Sequence, residues 1–562
     1  MSDFSGLRLA LSALQAQQRS VDVAAQNVAN ANTTGYSRQT VNLVNVGAPA
    51  VPALWSKFTG DGQGVKVDSV TRFRDQFMEI QAALQHGSMA SLDQASSTMN
   101  SIQQLFNEPS DSGIQKQLSD FWAGFDDVAN NPADSAARTQ LLERADTLAA
   151  SFNSISQNLT QQKVNTTSEL GATVASINSM AQSIATLNKA IKANTISGLP
   201  VNDLEDQRDL LANKLSEASG ASLRAGPYNQ VNVMLSGTAL VQEDAASALT
   251  VDTSGPGAVV RWANNNSQAA ITSGKVGGEL DAINGTIPSY LAKLDNVATT
   301  LRDQVNQLHG TISGSLAVGS QDQTAAGNLQ FDISLDNGAS ATVTVAGADW
   351  SGAGGAAALQ GALQTAIDAA VGPGNATATV SGGNGSPLTI GLAPTATHQL
   401  QIQATGATTG FATLLGDTAV GSDGIGGRQF FTGTDAATLS VSAAIENNPG
   451  TIAAGTAAGG PLDASNALNL AELATSATGA DAVYRQAIVQ LGVDTQTASS
   501  RDQIQQSATQ SLDNARAQNS GVSIDEEMTN LVEFQHGYDA AARLMTTIDS
   551  MLDTLINHTG LG

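Results

Sequence analysis

The chain of 562 residues has no cysteine, so disulfide bonds, thiolate metal sites and a cysteine nucleophile are excluded. Aromatic residues make up only 4 % of it, which suggests several lean cores rather than one large one. Basic residues are scarce, because 25 Lys and Arg stand against 50 Asp and Glu, for a formal net charge of −25. That balance argues against nucleic acid or an anionic membrane as a partner.

Long apolar runs are also missing. No stretch reaches the roughly 18 apolar residues of a membrane-spanning helix. The N-terminus lacks the basic region, the apolar core and the cleavage site of a secretory signal peptide, so we expect no cleaved signal. A cytoplasmic location and export by a route without cleavage both stay open at this point.

Groups with catalytic chemistry do not cluster along the chain. The histidines lie far apart and form no HExxH or other metal-ligand spacing. They are His86, His309, His398, His536 and His558. No GxSxG turn, Walker loop or dinucleotide fingerprint is present. An acidic chain offers many carboxylates for glycoside hydrolysis, but nothing singles out a pair. We therefore predict no catalytic residue, metal site or cofactor, and a protein that is not an enzyme.

Two apolar stripes lie at opposite ends of the chain, and both advance by steps of three and four residues. The first consists of Leu7, Leu11, Leu14, Gln18, Val21, Ala25 and Val28. The second consists of Leu531, Phe534, Tyr538, Ala541, Met545, Ile548, Leu552 and Leu555. This spacing places each stripe on one narrow helical face, as in a coiled-coil seam, and such a face needs a facing helix. We predict that the two helices pair with each other or with neighbouring copies, and that the large residues of both stripes form the assembly interface.

Between the stripes, the periodicity changes several times. A first helix is predicted from Ser5 to about Ala31, followed by turn formers and short strands up to residue 75. Residues 73–217 are largely helical, with a clear stripe from Leu170 to Ile191 and Asn202 as the predicted N-cap of a later helix. Further predictions appear in chain order: a β-hairpin at 231–241, a helix from Gly278 to Leu308, a hairpin turning at Asp336-Asn337-Gly338, and helices from about 464 to 557. The last helix is predicted to start at a capping box formed by Ser523 and Glu526, after a break at Asn519-Ser520-Gly521.

These patterns predict an α+β multidomain protein with a coiled-coil-like stem of paired terminal helices, an elongated helical-bundle domain and β-rich outer domains. The stem comprises residues 1–35 and 522–562, and the elongated, mainly helical domain with a short β segment comprises 36–220 and 428–521. Residues 221–319 form a β-hairpin plus a long helix. Residues 320–427 form a β-rich insert domain.

The two ends carry specific signatures. Residues 27–39 read NVANANTTGYSRQ, and residues 523–531 read SIDEEMTNL. Together they resemble the terminal signatures of bacterial flagellar axial proteins of the rod, hook and hook–filament junction. The N-terminal signature residues are Asn27, Asn30, Asn32, Thr34, Gly35, Tyr36, Ser37 and Arg38. The run from Tyr36 to Gln39 and the long helical stretch after residue 75 are more similar to the junction members, the hook-associated proteins, than to rod or hook subunits.

The resemblance implies a structural subunit that joins hook to filament and polymerises through its terminal helices. It implies export through the flagellar type III apparatus without a cleaved signal, and an extracellular location in the flagellum. The implied partners are other copies of the chain, the hook protein, the third hook-associated protein and an export chaperone that binds the C-terminal helix. Two alternatives stay open: another axial subunit, of the hook or distal rod, or a secreted adhesin or hydrolase carried on the insert domain.

Overall fold

The fold is that of a computed structural model. It describes residues 3–46, 64–310, 312–316, 329–335, 339–348, 350, 352–383, 386–395, 398, 400–403, 429–455 and 462–554. The chain is rich in helices and carries several small sheets. Within the described ranges, every helix is too short or too polar to cross a membrane.

The chain forms two compact units, each assembled from segments distant in sequence. The first unit contains Met1–Ser96, Thr166–Asn284 and Ala498–Gly562. The second contains Ser97–Asn165 and Gly285–Thr497. The predicted four-part domain division is a finer one and stays a prediction.

Long helices and one hairpin make up the first 220 residues. The elements are α1 (Asp3–Asn30), β1 (Gln39–Asn45), β2 (Val65–Arg72), α2 (Gln76–Phe106), α3 (Ile114–Asn130), α4 (Ser135–Ile196) and α5 (Asn202–Ser219). Strands β1 and β2 pair antiparallel. The predicted N-cap of α5 is wrong by one residue, because Val201 occupies that position and Asn202 begins the helix. The Asn202 amide instead donates to the carbonyl oxygen of Val70 (3.0 Å) and to Gln39 Oε1 (3.1 Å).

A four-stranded antiparallel sheet follows, in the order β3-β4-β5-β6, next to a two-stranded one. The strands are β3 (Ser222–Ala225), β4 (Val231–Leu235), β5 (Thr238–Gln242), β6 (Ala245–Ala246), β7 (Leu249–Asp252) and β8 (Val259–Trp262). The predicted hairpin at 231–241 is confirmed by the pairing of β4 with β5. The stripe predicted on α4 is confirmed too, since Leu170, Ile177 and Ile191 are fully buried. Most of it shares one core with the sheet.

The helix predicted from Gly278 to Leu308 is not continuous. It consists of α6 (Gly274–Asp281), a π-helical turn (Ala282–Thr286) and α7 (Ile287–His309). The side-chain amide of Asn284, in the π turn, accepts from the backbone N–H of Ala258 (2.9 Å) and donates to its carbonyl (2.8 Å). A helix that must present this side chain to a strand end adapts by a local π turn.

The β-rich region contains two three-stranded sheets and a helix that packs on them. Its elements are β9 (Ile312–Leu316), β10 (Leu329–Leu335), β11 (Ala341–Val345), α8 (Gly355–Val371), β12 (Ala376–Gly383), β13 (Ser386–Pro394) and β14 (Leu400–Gln403). Strands β10 and β11 pair antiparallel, as the hairpin prediction requires. The predicted turn residues Asp336-Asn337-Gly338 lie outside the described residues.

The remaining elements lead back to the first unit. They are β15 (Phe431–Thr432), β16 (Ser440–Val441), α9 (Ala443–Glu446), α10 (Ser465–Glu472), α11 (Ala480–Ser520) and α12 (Ile524–Asp553), with two short 3-10 turns. The predicted break and start are confirmed, because α11 ends at Ser520 and the Ser523 side chain caps α12 by accepting from the N–H of Glu526. Aromatic rings of α3 and of the residues at β15 contact one another, for example Phe121 with Phe430 and Phe431.

Candidate assembly interface

The first and last helices lie side by side and run in opposite directions. A Cβ on Gly6 would lie 3.2 Å from Cδ1 of Ile548, and one on Gly537 would lie 2.8 Å from Cδ of Gln17. Further along, Asn27 donates to Glu527 (3.0 Å). The same antiparallel register therefore holds over the length of both helices, and two of the contacts use glycine, which lets the helices approach closely.

The buried face of α1 is not the predicted leucine stripe. Its buried residues are Ala10, Ala16, Ser20, Val23, Ala24 and Asn27. None of the five large stripe residues is buried, and Leu11 keeps 43 % of its surface exposed. The residues left partly open are Leu7, Leu14, Val21 and Val28. Each residue of an α-helix turns by roughly 100°, so these two sets point to different sides of α1.

Small residues occupy the inner side of α1 because two elements approach it there. Gly6, Gln17 and Asn27 face α12. The hydroxyl of Ser12 accepts from the backbone N–H of Val65 (3.4 Å), where β2 begins. Alanine and serine fit this narrow space, and the stripe leucines lie on another side of α1, where they stay partly exposed.

The stripe of α12 is the less exposed side of that helix. Ala541 is buried, Tyr538 is 36 % exposed, and the other described members are half-buried. Those half-buried residues are Leu531, Phe534, Met545, Ile548 and Leu552. Leu555 lies outside the described residues. Other large apolar residues of α12 are open to solvent: Ile524, Met528, Val532, Leu544 and Met551.

A group of polar residues, here called the clasp, fastens the end of α1 to the start of α12. At its centre the Asn27 Nδ2 donates to the carbonyl of Gln39 (2.9 Å) and to Glu527 Oε2 (3.0 Å). Its Oδ1 accepts from the N–H of Gln39 (3.0 Å) and from the hydroxyl of Tyr36 (2.8 Å). All four hydrogen-bonding positions of one amide are thus used. The clasp consists of Asn27, Tyr36, Arg38, Gln39, Glu526 and Glu527.

Arg38 supplies the charge that balances the clasp. Its Nε donates to Glu527 Oε1 and its Nη2 to Glu526 Oε1, both at 2.7 Å. Glu527 is 3 % exposed, so this pair is largely withdrawn from water. Burial opposes the charge on Arg38, but the two carboxylates outweigh it and raise the pKa of the guanidinium. Burial, helped by Asp206, Asp203 and Glu527, also raises the pKa of Tyr36, which therefore stays a hydroxyl donor.

The other signature residues shape the turn beside the clasp. Gly35 has φ +86°, and a Cβ there would lie 3.2 Å from Cβ of Leu210, so both conformation and space favour glycine. The backbone N–H of Ser37 donates to Asp206 (3.1 Å), and Asn30 donates to the carbonyl of Gln26 (3.1 Å). Asn32 and Thr34 are exposed.

Sequence reasoning missed an ion-pair network next to the clasp. Arg72 contacts Glu205 (2.9 Å), Asp206 (2.7 Å) and Asp209 (2.8 Å), and Arg74 bridges Asp209 to Glu79. Arg516 of α11 also binds Glu79 (2.6 Å). Burial favours a neutral Asp209, but the arginines outweigh it and lower the pKa of that carboxyl. The only local signals were two alternate arginines at the end of β2, Arg72 and Arg74, and an acid-rich start of α5, whose pairing the sequence does not reveal.

The described residues hold no group of three or more His, Asp or Glu side chains arranged to bind a metal ion. The acids that are close together at the clasp and in the network are engaged by arginine. What the arrangement offers is an antiparallel helix pair, closed at one end by buried polar contacts and lined outside by uncovered apolar residues.

Models of known protein families match the N-terminal, the middle and the C-terminal part of the chain. A family model described as "Flagellar hook-associated protein FlgK helical domain" matches residues 99–315. "Flagella basal body rod protein" matches residues 7–36, and "Flagellar basal body rod FlgEFG protein C-terminal" matches residues 516–558.

Two curated relatives align over nearly the whole length. Flagellar hook-associated protein 1 of Bacillus subtilis (strain 168) is 29 % identical over 571 residues, covering 100 % of this chain and 99 % of the relative. That of Escherichia coli (strain K12) is 28 % identical over 574 residues, covering 98 % of each. A solved structure, the flagellar hook junction protein FlgK from Burkholderia pseudomallei, aligns with a TM-score of 0.47 and 18 % identity over 79 % of this chain and 100 % of that one.

Proposed function

This chain belongs to the flagellar hook-associated protein 1 family, and from that membership we propose how it assembles. It is a structural subunit of the bacterial flagellum at the junction of hook and filament, and it is not an enzyme. Its copies join one another through the antiparallel pair of α1 and α12, packed as a coiled-coil-like stem. Its neighbours along the axis are the hook protein and the third hook-associated protein.

The observation that carries this proposal is that a single chain leaves large apolar residues on one side of α1 partly exposed to solvent. Leu7, Leu11 and Leu14 follow helical spacing but lie away from the buried face. On α12, Met528 and Val532 are nearly half exposed. A helix keeps such a stripe in water only at a cost, so neighbouring copies are the partners that the stripes require.

Assembly and completion of the stem are then one event. Before incorporation, the parts of α1 and α12 beyond the clasp pack against each other and leave large apolar residues partly exposed. Neighbouring copies then complete the burial of these residues. Covering about ten large apolar side chains at roughly 1.5–3 kcal/mol each offsets much of the entropy lost on ordering. The same uncovered face of α12 suits an export chaperone that binds an amphipathic helix in a groove, before the subunit leaves the cell without a cleaved signal.

We keep the domain assignment of the sequence as part of the proposal. Residues 1–35 and 522–562 form the stem, 36–220 with 428–521 form the elongated helical domain, and 221–319 and 320–427 project outward. A hook or distal-rod subunit, the nearer alternative, fits less well. Residues 75–217 are helical over nearly their whole length, and the family model of the helical domain begins within them.

The test replaces Leu11 by aspartate. Leu11→Asp perturbs the folded chain less than a change at a buried residue, because that side chain is already 43 % exposed, but it puts a charge into the proposed contact between copies. The matched control is Val489→Asp, at a 67 % exposed apolar residue of α11 outside the stem. We expect flagella isolated from cells that carry only Leu11→Asp to lack the subunit, and those with Val489→Asp to retain it, as measured by immunoblot. Equal incorporation of both variants contradicts the proposal.

A further inference from the structure

A cleft of about 570 Å3 lies in the first unit, beside α5. Its walls are the end of β2, the start of α2, α5, and β3 with the turn that follows it. Its volume falls within the range of clefts that bind ligands or peptide segments. No function described so far uses it.

One wall of the cleft is an open sheet edge. Strand β3 is the outermost strand of its sheet, and it pairs with β4 so that Ala225 faces Val231 and Leu223 faces Val233. The N–H of Gly226 donates to the carbonyl of Gln230 (2.8 Å). Antiparallel hydrogen-bonded pairs alternate with non-bonded pairs, so the backbone groups of Leu223 and Ala225 point away from β4. Both residues line the cleft, and in the described part of the chain these backbone groups have no hydrogen-bond partner.

The facing wall of the cleft is formed by the end of β2, which also has an edge that is not paired with a strand of the described residues. The N–H of Phe73 donates to the carbonyl of Arg38 (2.8 Å), so by the same alternation Val70 points away from β1. There the chain provides a partner, because Asn202 Nδ2 donates to the carbonyl of Val70 (3.0 Å). The edge of β3 receives no equivalent side chain from the described residues.

Polar groups of two side chains in the cleft also lack a hydrogen-bond or ion-pair partner among the described residues. Gln230 is 1 % exposed, and its Oε1 has no hydrogen-bond partner among the described residues. Arg224 is exposed and, within the same part of the chain, makes no ion pair, whereas Arg72 and Arg74 in the same cleft are paired with acids. Ile80 and Leu223 add apolar surface. An extended peptide matches these groups, because it can offer a backbone N–H to Gln230, a carboxylate to Arg224 and apolar side chains to Ile80 and Leu223.

We propose that the cleft receives an extended, acidic segment of a second copy of the chain, which adds to the sheet as a strand beside β3. A second copy is the occupant that the proposed self-assembly brings to this surface, and its 50 Asp and Glu against 25 Lys and Arg offer acidic segments for the unpaired Arg224. Strand addition of this kind draws its affinity from the backbone hydrogen bonds and its specificity from the flanking pockets. The inference rests on the proposed self-assembly and adds an interface outside the terminal helices.

Site-specific cross-linking identifies the occupant. The chain has no cysteine, so Ala225→Cys gives a single thiol at the cleft, to which a benzophenone maleimide is attached before flagella are assembled from the labelled subunit. We expect illumination to give cross-linked dimers of the chain, and mass spectrometry to locate an acidic peptide of the second copy. Asn265→Cys, in the exposed turn after β8, is the matched control and should give fewer dimers by roughly tenfold. Cross-links to another flagellar protein, within one chain only, or absent altogether overturn the inference while the proposed function stands.

A backbone variant tests the pairing itself. Ala225→Pro removes an N–H that does not bind β4, so the sheet remains intact, whereas Ala225→Val keeps the N–H and is the matched control. We expect the proline variant to incorporate roughly fivefold less well, as the loss of one hydrogen bond implies, with circular dichroism unchanged. Equal incorporation of the two variants overturns the strand pairing and identifies the short strand with its arginine as a protected edge. If the parent chain itself fails to incorporate, the proposed function and this inference both fall.

Discussion

Asn27 makes four hydrogen bonds at the centre of the clasp. Its amide joins α1, the turn after it, β1 and α12, and it is 1 % exposed. A buried amide with every donor and acceptor used is costly to replace, because any substitution leaves several partners without a hydrogen bond. The place of Asn27 in the family signature thus has a structural reason: its side chain joins the first helix of the chain to the last.

Replacing Asn27 by aspartate isolates this contribution. Asn27→Asp has nearly the same shape but loses both donors and sets a second carboxylate against Glu527. We expect local opening of residues 27–45 to become easier by about 2–3 kcal/mol. Hydrogen exchange followed by mass spectrometry measures it. Asn32→Asp, at an exposed signature position of the same turn, is the control and should change the exchange by less than about 0.5 kcal/mol; equal effects would show that the clasp does not depend on Asn27.

At this scale the sequence indicated which residues matter but not what they contact. The signature includes Asn27 and Arg38, but the sequence marks the start of the last helix only through the predicted capping box of Ser523 and Glu526, next to Glu527. The Ser523 cap is confirmed. The role of Glu527 in the clasp depends on a contact across 500 positions of the chain, and local patterns carry no information about such pairs.

At the scale of elements, α1 and α4 illustrate when apolar spacing is a reliable guide. On α4 the leucines and isoleucines of the stripe are buried, because a sheet covers that face within the same chain. On α1 the large residues are left outside and alanines face inward. The preference for large side chains in a core misleads on α1, because glycine and alanine allow a close helix contact there and the leucines have no helix of the same chain to cover them fully.

A buried carboxyl ties α6 to α4 in the first unit. Glu279 has no solvent exposure and accepts from the hydroxyl of Thr173 (2.9 Å), with Lys275 Nζ at 3.9 Å and Glu169 paired to the same lysine. Its Oε2 has no hydrogen-bond partner in the described residues. Burial raises the pKa of Glu279 from 4.5 to about 7, against the opposing effects of Thr173 and Lys275.

This shift predicts a pH dependence of stability. Between pH about 4.5 and about 7 the folded chain retains a proton that the unfolded chain releases, so the free energy of unfolding falls as pH rises through this window. The fall is roughly 3 kcal/mol at most. Thermal unfolding from pH 4.5 to 8 measures it, and Glu279→Gln should remove the dependence and raise stability at pH 8. The exposed Glu217→Gln is the control; if both variants keep the slope of the parent, Glu279 is not its source.

At the scale of the whole molecule, structure set by neighbouring residues was predictable from the sequence, whereas the contacts between distant segments were not. The hairpin of β10 with β11 and the break before α12 were predictable from turn residues and a cap. The division into two units of interleaved segments was not, because it depends on which distant helices pack together.

Limited proteolysis tests how far the isolated chain is held together. Trypsin sites in the stem beyond the clasp are Arg8, Arg19 and Arg543. We expect cleavage there in the isolated protein, because those segments are only half covered, while Arg38 and Arg516 resist because both are engaged in ion pairs. In assembled flagella the same three sites should be protected. Mass spectrometry of the fragments identifies the cuts, and resistant stem sites in the isolated protein would show a stem complete without neighbours.

The antiparallel register of α1 and α12 has a practical consequence for labelling. Because Gly6 lies opposite Ile548, the first turns of α1 and the last turns of α12 share one tip of the helix pair, and a fluorescent protein inserted at either would meet the proposed contacts between copies. The exposed turn at residues 263–268, between β8 and α6, is the better insertion point for a reporter that must leave polymer growth undisturbed.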